Sequence, residues 1–425
     1  MTHSTTHSTI HYTLILLVLV GSSLFSCKTK SNIHITDLTQ VTSIVEAMPD
    51  LAYEDRVSCE AWENYAPYPE NQEWFEEETI RLNFHCLYDS KGDKLLPFDY
   101  MRSFWIPELI KNSDLRLWTN PKMNLPVGNT TPALPPMLRY RRTLSEGRRD
   151  DHGTYEHIDD ELFFFLNKGK SKNNYNKDVI NKYAIDDDSI LNVFIMEIHP
   201  DSVASKTYKQ HKAGIALGTS IKISGFDEED PKWWEYAAMF NHEVGHIFGL
   251  PHAWTKYDGC EDTPPNPNCF QKGAPPCDGV ISNNLMDYNN NQMAMTPCQL
   301  GRWHRTIHDV KKKQRRLIEE RWCNYEPNNP IIISEDTHWV GNKDLSRDII
   351  VKDGATLGLS CRISLSKYAS ITVQKGGHLI LDGVRLHNDC GQTWGGIEVL
   401  GQPIEKAISH RGVNAIENTV LVTKS

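Results

Sequence analysis

Alternation marks the first regular element of the chain. Ile80, Leu82, Phe84, Cys86 and Tyr88 are apolar and the positions between them are largely polar, the period of a half-buried strand. A mixed helical stretch follows from about Phe98 to Ile110, which Pro107 should kink or shorten. The apolar runs Leu162 to Leu166 and Ile190 to Met196 predict buried strands, and Thr219, Ile221 and Ile223 another. The period then changes to that of a helix. Trp234, Ala237, Phe240, Val244 and Ile247 recur on one face, with Asp230 able to cap, Pro231 suited to the first position and Gly249 placed to end it. A Cys-, Pro- and Asn-rich loop runs from Asp258 to about Pro297. A second helix begins with the capping-box pattern Thr296-Pro297-Cys298-Gln299, carries Leu300, Trp303, Ile307, Val310 and Leu317 on one face, and is expected to end near Trp322. Residues 78–323 therefore read as an α+β domain, and Asn324 to Pro330 as a linker.

Beyond that linker the chain turns to β-branched residues and glycine. Val351, Gly354, Leu357 and Leu359 recur as Val373, Gly376, Leu379 and Leu381, 22 residues later each time. Trp394 to Val399 has the character of a third, irregular turn. The region 331–425 resembles the rungs of a right-handed parallel β-helix, and an antiparallel sandwich is the alternative. Because fewer than about three rungs rarely stand alone, the solenoid is expected to continue past residue 425 or to be capped by its neighbour.

Composition narrows the function. At 425 residues, with 39% hydrophobic and 24% charged content, the chain is too long for one core and too balanced for a disordered protein. The net charge of -10 and the lack of a basic stripe argue against a nucleic-acid partner. The longest apolar run, Leu14 to Val20, is about half of the ~20 residues a membrane-spanning helix needs. It ends at Ser26-Cys27 before a polar stretch, which is the layout of an export signal, and the small residue before Cys27 resembles a bacterial lipobox. Residues 1–27 are thus expected to be a lipoprotein-type signal, with Cys27 the lipidated residue and the protein held at the cell envelope or outer surface. An ordinary secretory signal is the alternative, since residues 1–11 lack Lys and Arg and Phe25 is bulky. Residues 28–77 are polar, aperiodic and read as a linker or pro-segment. The cysteines fit export and disulfide pairing: Cys86, Cys260, Cys269, Cys277, Cys298 and Cys323 fall in the central region, Cys361 and Cys390 in the C-terminal one, and Cys59 is the candidate odd thiol. Acidic loop clusters such as Asp186-Asp187-Asp188 read as solvated surface, with calcium ligation the lesser alternative.

Chemistry concentrates at His242-Glu243-Val244-Gly245-His246, followed by Gly249 and His252. Histidines four apart share a helix face and can converge on one cation, and Glu243 stands where it can take a proton from water. Gly249 lets the chain leave the helix so that His252 returns as third ligand. Three neutral nitrogens and one open position describe a catalytic zinc site. The five fixed residues would coincide by chance in roughly 0.01% of chains this long, against roughly 5% for the His-Glu-x-x-His core alone.

This extended motif, with Asn284-Leu285-Met286-Asp287-Tyr288 downstream, resembles the metzincin zinc metallopeptidases. Gly259-Cys260, Asp262-Thr263-Pro264 and Cys298 bring the likeness nearest to the pappalysin family and its cytophagalysin-like bacterial members. The resemblance implies a metzincin-like α+β catalytic domain, a catalytic zinc, and endopeptidase activity on proteins or peptides. It also implies Met286 as the floor beneath the histidines and Tyr288 as donor to the oxyanion of the tetrahedral intermediate. Substrate would lie as an added strand along the sheet edge, for which Gly214 to Gly225 is the candidate. Cys59 would be a latency thiol able to reach the open metal position. The segment between Cys260 and Asn284 is short and Pro-rich, so pocket residues do not transfer. The competing reading is a cell-surface binding or adhesin lipoprotein with a vestigial metal site, its C-terminal region gripping glycan or a surface protein. A polysaccharide-cleaving solenoid is disfavoured, since the rungs show no clustered acids or arginines.

Overall fold

The computed structural model describes residues 58–91, 96–143, 153–167, 172–198, 213–224, 232–253, 257–265, 279–288, 292–400, 407–410, 415–416 and 422–424. The signal segment with Cys27, the cap residues Asp230-Pro231, and Cys269 and Cys277 lie outside these.

The alternating segment becomes β1 (Glu78–Tyr88), but it is not half-buried. Nearly every residue is covered, Asn83 and His85 included. The reason is its place at the centre of a sheet. It pairs in parallel with β2 (Leu138–Arg142) and β3 (Thr154–Ile158) on one side and with β5 (Leu191–Ile198) on the other. The buried polar side chains satisfy one another: His85 Nε2 lies 3.1 Å from Asn83 Oδ1 and 2.9 Å from Asn192 Oδ1. The predicted run at Leu162 to Leu166 shrinks to β4 (Phe164–Phe165), paired with β5. Beyond β5 come β7 (Ser220–Ser224), parallel, and β6 (Ala213–Leu217), which turns back antiparallel to β7 and ends the strand order β2-β1-β5-β7-β6.

Two helices cover one face of this sheet. The Pro107 break is absorbed by a π turn at Met101–Trp105, after which α1 (Ile106–Thr119) runs past the predicted end. A short α2 (Asp178–Tyr183) precedes β5. The motif helix is α3 (Trp233–Ile247), held to α1 by the Asn241 amide donating to the Ser113 carbonyl at 2.9 Å. Four of its five predicted apolar positions are buried, whereas Trp234 is 44% exposed. The second predicted helix, α4 (Pro297–His308), opens with the expected capping box but stops well short of Trp322. The chain breaks at Asp309 because Leu317 and Ile318 must return to the sheet, where Ile318 bridges Ile80 and the Glu319 amide donates to the Thr79 carbonyl.

The C-terminal region forms two all-parallel sheets around one core. One contains β8 (Ile331–Ile333), β11 (Ile349–Val351), β13 (Ser370–Val373), β15 (Gly396–Leu400) and β18 (Val422–Lys424). The other contains β9 (Thr337–Trp339), β10 (Lys343–Leu345), β12 (Thr356–Leu365), β14 (His378–His387), β16 (Ala407–His410) and β17 (Ala415–Ile416). The register pairs Val351 with Val373, Leu357 with Leu379 and Leu359 with Leu381, which is the sequence repeat. No antiparallel pair occurs among the described strands here, so the pairing is not that of an antiparallel sandwich.

The segment ahead of β1 carries structure of its own, and one cysteine expectation is corrected. Residues 62–74, read as linker or pro-segment, form two short 3-10 turns, and Tyr65 is fully buried. A Cβ on Gly301 of α4 would sit 2.3 Å from the Trp62 carbonyl oxygen, so that glycine admits the close approach. Cys59 is not an odd thiol. It is bonded to Cys361, and Cys323 to Cys390, so two disulfides join the α+β part to the parallel sheets. Cys260 pairs with Cys298, and Cys86, buried on the central strand, is the free cysteine among the described residues. Sorting cysteines by region failed because the regions are packed together rather than strung apart.

Candidate metal centre and cleft

The end of α3 explains how three histidines meet. Gly249 adopts φ +88°. Its amide donates to the His246 carbonyl at 3.0 Å, and the Leu250 amide to the Gly245 carbonyl at 3.0 Å, the bond pair of a Schellman cap. The chain thus reverses within three residues and brings His252 back alongside the helix. The Nε2 atoms of His242 and His246 lie 3.1 Å apart, those of His246 and His252 3.0 Å, and those of His242 and His252 3.2 Å.

These contacts are not ordinary hydrogen bonds. His242 Nδ1 faces the Leu285 carbonyl at 2.7 Å and His246 Nδ1 faces the Leu250 carbonyl at 2.7 Å. Carbonyls only accept, so each Nδ1 carries its ring's hydrogen and each Nε2 presents a lone pair. Burial, reinforced by the neighbouring imidazoles, holds His242 down to about 3 and His252 to about 4, so the rings are neutral. Lone pairs converging at this distance repel unless a cation stands between them. Zinc–nitrogen bonds of ~2.0–2.1 Å in a tetrahedron place ligand nitrogens about 3.3 Å apart, so the donor set fits that ion. The backbone carbonyls that orient the two rings are the outer partners such ligands need. The other close grouping among the described residues, Cys260, Asp262 and Cys298, is taken up by a disulfide and by capping of α4.

Glu243 is buried beneath β6. Burial pushes its carboxyl up to about 8, against a hydrogen bond from the Ala216 backbone. A Cβ on Gly214 would approach Glu243 Cγ to 2.8 Å, so glycine is what lets this edge strand lie directly on the motif helix. Met286 is fully buried under the histidines' helix, and here too a glycine makes room: a Cβ on Gly245 would meet Met286 Sδ at 2.5 Å. The Met286 turn is built by Asn284, whose Oδ1 accepts from the Met286 amide at 2.8 Å and whose side chain pairs reciprocally with Gln299 of α4. Asp262 accepts from Thr296 Oγ1 and the Cys298 amide, tying the loop after His252 to the same helix end.

Tyr288 lies against His252, ring centroids 4.4 Å apart, with its hydroxyl 3.5 Å from Nδ1, the edge away from the converging Nε2 atoms. It is half exposed, as a residue that shifts toward a substrate would be. Cys59 lies in its disulfide with Cys361 and is not among the lining residues of the cleft. The cleft measures about 1060 Å³ and is floored by His242, Glu243, His246 and His252, with Ala213 to Ala216 along one wall. Sequence reasoning missed Arg116 and Gln292, which also line it, and the positioning pair Asn284–Gln299. Nothing in the local pattern marks Arg116 or Gln292, because α1 and the turn after Met286 meet only in the fold.

No protein-family model matches the chain, and no curated protein matches it. Among solved structures, it is similar to mature mirolysin of Tannerella forsythia in complex with a cleaved peptide, at 15% identity and a TM-score of 0.40, covering 56% of this chain and 94% of that one. A structure of mirolysin with compound 9 gives 16% identity and a TM-score of 0.39, covering 57% and 96%. Superposition this loose carries no functional weight, and the chemistry stands on the site's own geometry.

Proposed function

We propose that the chain is a zinc-dependent endopeptidase of metzincin, pappalysin-like type, hydrolysing proteins or peptides outside the cytosol. One observation carries the reading: three Nε2 lone pairs converge beside a buried carboxyl, at the base of an open cleft under a sheet edge. His242, His246 and His252 would hold the ion, which when bound supplies Lewis acidity toward a carbonyl and acidifies water. Glu243 takes a proton from the attacking water and delivers it to the leaving amine. Its raised pKa suits a group that must do both near neutral pH. β6 supplies main-chain hydrogen bonds to an extended peptide laid along it, and Tyr288 donates its phenol proton to the oxyanion. Met286 fixes the floor. Lipid anchorage through Cys27 at the bacterial envelope belongs to the same proposal and rests on the sequence alone, as does the β-helical character of residues 331–425.

The test is to express residues 28–425 beside Glu243→Ala and to measure bound zinc and cleavage of casein. Near-stoichiometric zinc in both proteins, with chelator-sensitive cleavage only in the unmutated one, is expected. Zinc without cleavage would turn the reading toward a binding lipoprotein.

A further inference from the structure

The cleft wall contains one guanidinium. Arg116 projects from the last turns of α1, and no lysine or other arginine lines the cleft among the described residues. It is poorly compensated. Its Nη2 donates to the Gln292 carbonyl at a long 3.3 Å, and its Nε is buried with no acceptor. Burial lowers its basicity, and among the described residues no carboxylate pairs with it. Arg315 and Arg362 instead each place two nitrogens on one carboxylate, and Arg142, which like Arg116 has burial lowering it and no carboxylate pair, is held by two acceptors, the Arg102 carbonyl at 2.7 Å and Thr154 Oγ1 at 3.2 Å. A half-buried cation without an anion costs stability, so a binding role explains Arg116 better than a structural one. Gln292 links it to the outer edge of the histidine cluster: its carbonyl accepts from Arg116 and its side chain lies 3.0 Å from His242 Nδ1.

We infer that Arg116 is a specificity-determining residue that binds a carboxylate of the peptide substrate beside the scissile bond, so that the cleft selects acidic peptides. The inference rests on the peptidase reading of the same cleft. A planar fork with free donors matches a carboxylate in two-point fashion, which an amide cannot reproduce. Glu235 also lines the cleft, but it sits on the first turn of α3, two helical turns or about 10 Å along the axis from His242. It faces a different part of the substrate.

The experiment uses the zinc-loaded chain and peptides acetylated and amidated at their ends, built around cleavage sites mapped in casein. Each residue flanking the cut is varied through Glu, Gln and Lys, and one set carries a free C-terminal carboxylate instead. The expected result is a kcat/KM about ten- to a hundred-fold higher for Glu than for Gln at one position, the range of a charge-assisted hydrogen-bonded pair. Arg116→Gln should bring that ratio close to one, and Arg116→Lys should keep part of it. A ratio unchanged in Arg116→Gln, a preference for Lys, or a preference confined to the free C-terminal carboxylate each overturns the inference of a side-chain subsite. If no peptide is cleaved, the peptidase reading fails, and binding of the same peptides to Glu243→Gln with and without Arg116→Gln still decides the role of Arg116. Equal affinity for Glu and Gln peptides would then remove it.

Discussion

Two clusters of buried polar side chains show opposite uses of the same materials. In the candidate metal centre, three imidazole Nε2 atoms converge to within 3.0 to 3.2 Å of one another. In the seam between the α+β part and the parallel sheets, Asp344 accepts from Arg315 at 2.6 and 2.9 Å, from Arg362 at 2.7 and 2.9 Å, and from His308 at 2.8 Å. Burial alone would raise the Asp344 carboxyl, but Arg362 and Arg315 outweigh it and hold the group well below the usual carboxylate range. The difference teaches how to separate function from scaffolding. A cluster of opposite charges locks a structure, whereas a convergent set of like donors is arranged for a cation.

The comparison breaks most visibly at Asp344. Asp344→Ala leaves the buried Arg362 guanidinium without its carboxylate and Arg315 with Asp389 alone, and should cost about 3–5 kcal/mol, read as a lower denaturant midpoint at constant m value. Removal of one histidine should do the reverse. His246→Ala relieves facing lone pairs, so the metal-free protein should unfold no earlier than the parent. A midpoint for Asp344→Ala within about 1 kcal/mol of the parent would mean the seam is not a lock.

Zinc sharpens the contrast from the other side. At about 100 times its dissociation constant the ion should add about 2.7 kcal/mol to the parent and nothing to His246→Ala. Thermal unfolding across a zinc titration measures this. An equal shift in both proteins would place the ion elsewhere.

A smaller effect is expected at the glycine inside the motif. Gly245→Ala drives a methyl into Met286 Sδ, costs about 1–3 kcal/mol by overpacking, and should weaken zinc binding without touching a ligand. If zinc affinity survives while stability falls, Met286 supports the fold and not the site.

How much of this was legible beforehand follows from the range of the interactions. The convergence of His242, His246 and His252 and the Met286 turn were readable because their geometry is local: one helix, one glycine reversal, one Asn-built turn. The 22-residue register of β11 with β13 and of the first half of β12 with β14 was readable for the same reason, as one local repeat, whereas the flanking strand pairs are offset differently. What failed was non-local. β1 looked half-buried because its buried Asn83 and His85 are polar, and it takes distant partners, Asn192 and His157 for His85 and the Ile185 carbonyl for Asn83, to explain why they are tolerated. The early end of α4 depends on Ile318 meeting Ile80. Cys59 looked unpaired because its partner lies 302 residues away. Arg116 carried no signal at all.

Lys343 gives the subtlest test, because it is a buried cation of the seam without an ion pair among the described residues. It is buried, with 6% of its surface exposed, and its ammonium reaches only the Val340 carbonyl at 3.3 Å and the face of Trp74. Burial pulls it down to about 7. The unfolded chain, with an ordinary lysine, therefore binds more protons than the folded one between pH 7 and about 10.4, and stability should rise with pH across that window. Below pH 7 the ammonium is charged in both states and the full cost of burying it is felt. Lys343→Met keeps the apolar stem and removes the charge, so it should stabilise the protein by about 1–3 kcal/mol at pH 6, with the gain fading toward pH 10. Denaturant midpoints of both proteins at pH 6, 8 and 10 make the measurement. A loss of stability in Lys343→Met at every pH would mean that the ammonium is answered, with Glu78 across the small shared cavity as its partner, and that the seam is satisfied throughout.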